Sequence, residues 1–205
     1  MAKLHFLYAT MGAGKSAALL QVNFNYAERG MSCLLMTAAL DTRAGHGVIS
    51  SRLGLRAPAE TFEAGTDLFA DHLAPAARRG CACALIDEAQ FLSRDQVDQI
   101  ARAVDVLDLP VMAYGLRTDF TGHLFDGSAA LMAMADELRE MRTICHCGAK
   151  ATMVARLDGQ GCPTLTGAQV EIGGNDRYIP LCRKHWRQAH DTGAIPPEAD
   201  FRPAG

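Results

Sequence analysis

Short apolar runs alternate along the chain with longer segments in which apolar residues recur at helical spacing. The apolar runs, which predict five strands, are residues 4–8, 33–36, 81–86, 111–114 and 138–144. The segments with helical character are residues 16–29, 66–79 and 93–107, and the last begins with a capping-box pattern from Ser93 to Gln96. Strands that alternate with helices predict right-handed crossovers and a largely parallel sheet flanked by helices, which is an α/β fold.

Two stretches of the chain depart from this pattern. Residues 41–58 contain Gly, Ser, Arg and Pro without periodicity, and they predict a surface loop that is available for ligand contacts. After residue 144 the chain is rich in Gly, Cys and His, with helical character only near 184–190. We therefore expect a first domain over 1–144, a small second domain over 145–190 and a flexible tail over 191–205, which contains three prolines.

Composition and charge narrow the classes of function. With 205 residues, of which 49% are hydrophobic, the chain can bury one full core, and its net charge of −3 disfavours nucleic acid as a partner. It has no run of about 18 apolar residues, and Met1 leads directly into the first strand pattern, so we expect neither a membrane partner nor export. Seven cysteines without an export signal indicate reduced thiols in the cytoplasm, some of them as metal ligands.

The first predicted strand leads into a glycine-containing turn of the phosphate-binding type. The turn ends in Gly14, Lys15 and Ser16, but Ala9 replaces the first glycine of the pattern G-x-x-x-x-G-K-[S/T]. Such a turn directs backbone N–H groups at phosphates, with Lys15 at the β- and γ-phosphates of ATP and Ser16 on Mg²⁺. The residues expected around the nucleotide are Ala9, Thr10, Met11, Gly12, Ala13, Gly14, Lys15 and Ser16. The alternative is an ordinary strand-to-helix turn with an exposed lysine.

The third predicted strand ends in two adjacent acids, within the sequence ALIDEAQF at 84–91. This arrangement is typical of the segment that places acids beside a nucleotide-bound Mg²⁺, and we assign Asp87 to the metal and Glu88 to the base. The expected cofactor-binding stretch is Asp87, Glu88, Ala89 and Gln90. The alternative is that Glu88 activates water, which would make the protein an ATPase. Together with the phosphate-binding turn, the acids predict a P-loop domain of the RecA-like kind.

Two close pairs of soft ligands follow the change in composition. Cys145 and Cys147 form one pair, and Cys182 and His185 form the other. Three thiolates and one imidazole satisfy tetrahedral Zn²⁺ without an open position, as structural sites do. His146 lies between ligands on a tight knuckle, so we favour His185 as the fourth ligand. The alternative is a group of reduced cysteines without metal.

The motifs, taken together and in order, resemble the type II, zinc-containing thymidine kinases in their bacterial form. They are MGAGKS at 11–16, DTR at 41–43, DEAQF at 87–91, YGLRTDF at 114–120, the four zinc ligands and GGNDRY at 173–178. The resemblance extends from about residue 4 to residue 190. It implies that ATP and Mg²⁺ phosphorylate the 5′-hydroxyl of thymidine, with Glu88 as the proton acceptor.

The resemblance also implies which residues contact the substrates. The zinc would anchor a long lasso loop, residues 155–178, that covers the nucleoside. The residues implied at the thymine base are Gln169, Val170, Glu171, Ile172 and Gly173, and those implied along the pocket are Met11, Phe91, Leu116, Phe120 and Tyr178. Without the resemblance, we would assign Phe91 and Phe120 to the core. Asp41 would contact ATP and Arg43 would act in catalysis, the alternative being a solvated ion pair.

The family further implies a homotetramer that is inhibited by the end product thymidine triphosphate. Two other functions are compatible with the P-loop and the zinc site. One is an ATPase whose zinc module grips single-stranded nucleic acid, but such a module should be basic, and acidic residues partly offset the basic ones in 148–190. The other is a nucleotide sensor without catalysis, which would have no use for Glu88.

Overall fold

The computed structural model describes residues 1–169 and 177–195, and the architecture below refers to these residues. The first part of the chain contains, in order, β1 (Leu4–Ala9), α1 (Lys15–Ala27), β2 (Cys33–Ala38), β3 (Val48–Ser50), β4 (Arg56–Pro58), β5 (Glu60–Phe62), a π-helical turn (Phe69–Leu73), α2 (Ala74–Arg78), β6 (Cys83–Ile86), a 3-10 turn (Ala89–Phe91), α3 (Arg94–Leu107), β7 (Val111–Leu116), α4 (Asp126–Met134) and β8 (Glu137–Glu140).

Six of the described strands form one parallel sheet in the order β5, β2, β6, β7, β1, β8. Neighbouring strands are in parallel register throughout, for example Ala9 with Leu116 between β1 and β7, and Ile86 with Ala113 between β6 and β7. The carboxyl ends of parallel strands lie at the same edge of a sheet, where ligands of open α/β sheets bind. The predicted α/β fold with a largely parallel sheet is confirmed.

Both faces of the sheet are covered by apolar side chains from helices. On one face, Ala84 and Ile86 of β6 belong to a buried cluster with residues of α2, α3 and α4. On the other face, Cys83 and Leu85 belong to a cluster with residues of α1. Because β6 is buried on both faces, its sequence is a continuous apolar run instead of an alternating one.

The second part of the chain builds a small module from short elements. They are β9 (Thr143–Ile144), β10 (Lys150–Ala151), β11 (Met153–Leu157), β12 (Pro163–Thr164), β13 (Tyr178–Leu181) and α5 (Arg183–Thr192). β9 and β10 form an antiparallel pair, and β11 lies between β12 and β13 in an antiparallel sheet. A small buried cluster joins them to α5 and contains Ala155, Leu181 and Ala189.

Hydrogen bonds to backbone carbonyls join this module to the end of the parallel sheet. The Trp186 indole N–H donates to the Phe120 carbonyl, outside the module, and to the Val154 carbonyl, within it, both at 3.1 Å. The Thr10 hydroxyl donates to the Met153 carbonyl at 3.1 Å, and Arg117 donates to the Thr152 carbonyl at 2.8 Å. The module is therefore held beside the segments that follow β1 and β7.

The structure corrects several boundaries and elements predicted from the sequence. The predicted surface loop over 41–58 contains regular structure that was not predicted, because β3 and β4 form a hairpin there and Ile49 is buried. The predicted helix over 66–79 begins only at Phe69 and has a π-helical first part. The strand predicted over 138–144 ends at Glu140, and α5 extends to Thr192, into the predicted tail. β5 and α4 were not predicted.

The division into three domains stays a prediction, and most of the predicted tail, residues 196–205, lies outside the described residues. Within the ranges that the structure describes, no helix has the length and apolar character needed to cross a bilayer.

The predicted capping box at the start of α3 is present. The Gln96 backbone N–H donates to the Ser93 hydroxyl at 3.2 Å, and the Ser93 N–H donates to the Gln96 side-chain oxygen at 3.0 Å. The Gln96 amide also donates to the Glu63 carbonyl at 2.7 Å, so the cap fixes the chain before α2 as well.

We expect Ser93→Ala to lower the free energy of unfolding by about 1 kcal/mol, because one N–H at the start of α3 loses its acceptor. Urea denaturation followed by circular dichroism measures the change. Arg94→Ala, at the exposed next position, is the control and should change the free energy of unfolding much less. Equal effects of the two substitutions would contradict a stabilising role for the cap.

Candidate active site

The turn between β1 and α1 has the backbone geometry of a phosphate-binding loop. Gly12 and Gly14 have φ angles of 78° and 77°, a region that L-residues seldom adopt. Ala9 is the last residue of β1, so its extended backbone accepts a methyl group in place of the missing glycine. The Lys15 ammonium donates to the Thr10 carbonyl at 3.2 Å, across the loop. Removal of water lowers the pKa of Lys15, and the carboxylates of Glu88 and Asp87 oppose that shift.

Asp87 lies at the end of β6 with its side chain buried. Its carboxylate accepts hydrogen bonds from the Glu88 backbone N–H at 3.0 Å and from the Ser16 hydroxyl. Burial raises the pKa of Asp87 to about 7, and the negative charge of Glu88 acts in the same direction. Ser16 and Asp87 are therefore in direct contact, as the predicted Mg²⁺ ligands should be.

Glu88 has a strained backbone and a side chain that is held at both oxygens. Its φ of 52° and ψ of 36° place a non-glycine residue in the left-handed region, a strain that recurs at functional sites. Arg43 donates to one carboxylate oxygen, and the Gln90 amide donates to the other at 2.5 Å. Gln90 in turn accepts a hydrogen bond from the Leu116 backbone N–H at 2.9 Å, so the Glu88 carboxylate is tied to the end of β7.

Arg43 joins Glu88 to the segment that follows β2. Its Nε and Nη2 donate to the two carboxylate oxygens of Asp41 at 2.6 and 2.7 Å, a bidentate pair. The same guanidinium contacts Glu88. Asp41 and Arg43 therefore belong to a hydrogen-bond network with Glu88. The alternative of a solvated ion pair has no contact of this kind with Glu88.

A cavity of about 620 Å³ is lined both by the phosphate-binding loop and by residues predicted to contact the nucleoside. The predicted site residues that line it are Met11, Gly12, Ala13, Gly14, Lys15, Ser16, Asp41, Arg43, Glu88, Gln90, Phe91, Leu116, Phe120, Gln169 and Tyr178. Ala9, Thr10, Asp87 and Ala89 are buried behind this wall. Val170, Glu171, Ile172 and Gly173 lie outside the described residues.

Several wall residues were not identified from the sequence. They are Ala17, Leu40, Ala44, Ser50, Ser51, Arg52, Leu53, Thr118, Asp119, Phe125, Arg142 and Val154. Residues 50–53 belong to the β3–β4 hairpin. The composition of 41–58 indicated that this segment could contact a ligand, but it did not specify residues 50–53. Thr118 and Asp119 lie within the YGLRTDF motif, and the polar residues at the end of that motif could have indicated that they line the site.

The four predicted zinc ligands converge in the small module. The ligand atoms of Cys145, Cys147, Cys182 and His185 all lie within 4.8 Å of one another. Cys145 Sγ is 3.4 Å from His185 Nδ1, and Cys147 Sγ is 4.0 Å from Cys182 Sγ. These separations suit a tetrahedral ion, for which Zn–S bonds of 2.3 Å give about 3.8 Å between sulfurs. The cluster could therefore hold Zn²⁺.

Among the described residues, the cluster that could hold a metal ion includes His185, and His146 lies beside it. The choice of His185 as the fourth ligand stays a prediction. The His146 ring stacks on the His185 ring with centroids 4.6 Å apart and an interplanar angle of 10°. Stacking of this kind fixes the orientation of the His185 imidazole, as residues around a metal ligand commonly do.

The parallel sheet, the glycine loop at the start of α1 and the acids at the end of β6 define a P-loop α/β protein. A family model described as thymidine kinase matches residues 2–186. The chain is 60% identical over 196 residues to a thymidine kinase of Jannaschia sp. strain CCS1, with 96% of this chain and all of that protein covered. It is 53% identical over 195 residues to a thymidine kinase of Salmonella typhimurium, with 95% of each covered. The chain belongs to the thymidine kinase family.

Solved structures with some similarity to the chain include a Pif1 helicase from Candida albicans. The sequence identity is 13%, the TM-score is 0.41, and the matched region covers 72% of this chain and 37% of the helicase. This similarity has no bearing on function.

We expect Asp87→Asn to stabilise the ligand-free protein, and more strongly at high pH. The Asp87 pKa rises from its ordinary 3.8 to about 7, so the folded state holds a proton that the unfolded chain has lost between these values. Stability is therefore lost as the pH rises through this window, and an amide avoids the loss. The gain in free energy of unfolding should be larger at pH 8 than at pH 5 by about 2.6 kcal/mol.

Denaturant titrations at the two pH values measure this difference. Asp98→Asn, on the exposed side of α3, is the control for removal of a carboxylate. A gain for Asp87→Asn that is the same at pH 5 and pH 8 would show that the buried carboxyl does not ionise in this range.

Proposed function

We propose that this protein transfers the γ-phosphate of ATP to the 5′-hydroxyl of thymidine and so produces thymidine monophosphate. The observation that carries the proposal is that one cavity has in its wall the phosphate-binding loop, the Glu88 carboxylate and the apolar side chains of Phe91, Leu116 and Phe120. A phosphoryl donor and a nucleoside acceptor need such a shared space, because in-line transfer requires the two to be adjacent. Membership of the thymidine kinase family supports the choice of acceptor.

At the nucleotide end, residues 9–16 would surround the phosphates of ATP, with Lys15 at the β- and γ-phosphates. Ser16 and Asp87 would hold Mg²⁺, which supplies neutralisation of phosphate charge when bound. The contact between the Ser16 hydroxyl and the Asp87 carboxylate supports this pairing. Asp41, Asp87, Glu88, Ala89 and Gln90 would complete the surroundings of the nucleotide.

Glu88 would accept the proton of the 5′-hydroxyl as that oxygen attacks phosphorus. A base must be held within hydrogen-bond reach of the proton it accepts, and the hydrogen bond from Gln90 at 2.5 Å restricts the carboxylate in this way. Arg43 would stabilise the charge on the transferred phosphoryl group, since its bidentate pairing with Asp41 holds the guanidinium beside Glu88.

At the nucleoside end, Met11, Phe91, Leu116, Phe120 and Tyr178 would enclose the sugar and base. Phe91 and Phe125 meet edge to face with ring centroids 6.1 Å apart, which gives this wall a fixed shape. Gln169 would contact the base. The proposed contacts from Val170, Glu171, Ile172 and Gly173 rest on the family resemblance alone.

The proposed zinc site would fasten both ends of the segment that covers the nucleoside. Cys145 and Cys147 precede β10, and Cys182 and His185 follow β13, so one ion would join the start of the module to its end. A loop that binds a base through main-chain groups needs such anchors, because its affinity depends on the spacing of those groups. This arrangement corresponds to the proposed domains 1–144 and 145–190, with 191–205 as a tail.

We expect Glu88→Gln to lower kcat by about 100- to 10,000-fold while ATP affinity changes little, because an amide cannot accept the hydroxyl proton. The measurement is thymidine-dependent ADP release, together with ATP binding by calorimetry. Glu63→Gln, at an exposed position, is the matched control. Release of ADP at the same rate with and without thymidine would identify an ATPase instead of a kinase.

We expect Cys182→Ser to raise the KM for thymidine before it changes the KM for ATP, because loss of one metal ligand loosens the module and leaves the parallel sheet intact. Steady-state kinetics and the zinc content of the purified protein are measured together. Cys162→Ser, at an exposed position in the same module, is the control. Normal kinetics in a variant without zinc would contradict this role for the metal.

The resemblance also implies a homotetramer, inhibition by thymidine triphosphate and a cytoplasmic location. These stay predictions, and sedimentation velocity and inhibition assays test the first two.

A further inference from the structure

Arg156 is a buried cation on the face of the small module that meets the nucleoside end of the cavity. It lies in β11 with 2% of its surface exposed, which is rare for arginine. Its strand partners are Thr164 in β12 and Tyr178 in β13. Side chains of partners in adjacent strands project to the same face, so Arg156 shares a face with Tyr178, which lines the cavity.

The Arg156 guanidinium contacts an aromatic ring and two backbone carbonyls at the same time. Its central carbon is 3.7 Å from the centroid of the Phe120 ring. Nη1 donates to the Ala168 carbonyl at 2.6 Å, and Nη2 donates to the Thr166 carbonyl. A planar guanidinium can stack on a ring and donate in its own plane, whereas an ammonium lacks this geometry. Among the aromatic residues predicted for the pocket, Phe120 is fully buried.

The backbone between the two acceptors fits around the guanidinium. Gly167 has a φ of 107°, and a Cβ at this position would collide with Arg156 Nη2. The next residue but one, Gln169, donates to the Asp119 carboxylate at 2.8 Å. The segment 166–169 is therefore bound at two adjoining points to Asp119 and Phe120, one through Arg156 and one through Gln169.

We propose that Arg156 is a positioning residue for nucleoside binding, which fixes the Phe120 ring of the pocket to the loop segment 166–168. The inference rests on the proposed function and specifies how the pocket is held in shape. Arg156 itself does not line the cavity, so it acts through Phe120 and the loop carbonyls. These contacts are made to Phe120, Thr166 and Ala168 and not to the phosphate-binding loop, so their loss affects nucleoside affinity and leaves ATP affinity nearly unchanged.

The first test compares Arg156→Lys and Arg156→Met with the wild type, with thymidine and ATP varied separately. We expect both variants to raise the KM for thymidine at least ten-fold and to change the KM for ATP and kcat by less than three-fold. Arg156→Lys keeps the charge and should still not restore the KM. Thymidine binding by calorimetry gives the same comparison without turnover. A full return to the wild-type KM in Arg156→Lys would overturn the inference.

The second test keeps Arg156 and displaces its guanidinium. Gly167→Ala should raise the KM for thymidine in the same way, because the added methyl group meets Nη2. Gly161→Ala is the matched control, since Gly161 has a φ of 82° and no described heavy atom lies within 4 Å of an added Cβ. Both substitutions carry backbone strain, and only the first meets Arg156. Equal KM values in these two variants would overturn the inference.

The outcomes separate this inference from the proposed function. A wild-type protein that phosphorylates thymidine, together with Arg156 variants that lose thermal stability and kcat but keep the KM for thymidine, would leave Arg156 with a structural role only. A wild-type protein that neither binds nor phosphorylates thymidine would overturn both the function and the inference.

Discussion

The parallel register of β1, β6 and β7 is the constraint on which the candidate site depends. Ala9 is paired with Leu116, and Ile86 with Ala113, so the residues that follow these three strands emerge at one edge of the sheet. The phosphate-binding loop, the acidic pair and the segment leading to Phe120 are distant in the sequence and adjacent in space for this reason. A slip of one residue in any of the three strands would move a side chain of the site to the other face of the sheet.

This edge of the sheet holds buried charged groups and one residue with a strained backbone. Asp87 is buried with a raised pKa, Lys15 has a lowered pKa, and Glu88 has a left-handed backbone. Burial of the Asp87 and Lys15 charges and the left-handed backbone of Glu88 each destabilise the ligand-free fold. The hydrogen bonds from Arg43 and Gln90 to Glu88 keep this arrangement in one geometry. The cover on both faces of the sheet provides the stability that such a site requires.

The sequence predicted those elements whose pattern is set by local burial. β6 is apolar on both faces, and α3 has an apolar stripe and a capping box, so both were predicted near their observed bounds. β3, β4 and β5 have three residues each, too short for a period to appear. α4 is apolar nearly all round, so its sequence DGSAALMAM shows no stripe. These elements depend on tertiary contacts that a local pattern does not contain.

The residues of the candidate site likewise divide into those that a local sequence pattern predicts and those that depend on tertiary contacts. Lys15, Ser16, Asp87 and Glu88 were predicted because their chemistry requires fixed spacing after a strand. The Cys/His cluster that could hold zinc was predicted because its members occur in close pairs. Phe120 was assigned to the core by its residue type and to the pocket by resemblance, and it is both, being 1% exposed and in the cavity wall. Arg52 and Arg142 reach the cavity from a hairpin and from the segment after β8, which only the folded chain brings together.

The contacts between the module and the sheet explain how a segment outside the P-loop fold can shape its site. Trp186, Arg117 and Thr10 all donate to backbone carbonyls, so the docking depends on the path of the chain more than on the partner side chains. Thr10 belongs to the phosphate-binding loop, and Phe120 belongs to the part of the cavity wall that we propose for the nucleoside. The module therefore contacts both halves of the cavity wall, and the Cys/His cluster that could hold zinc and the buried Arg156 both lie within it.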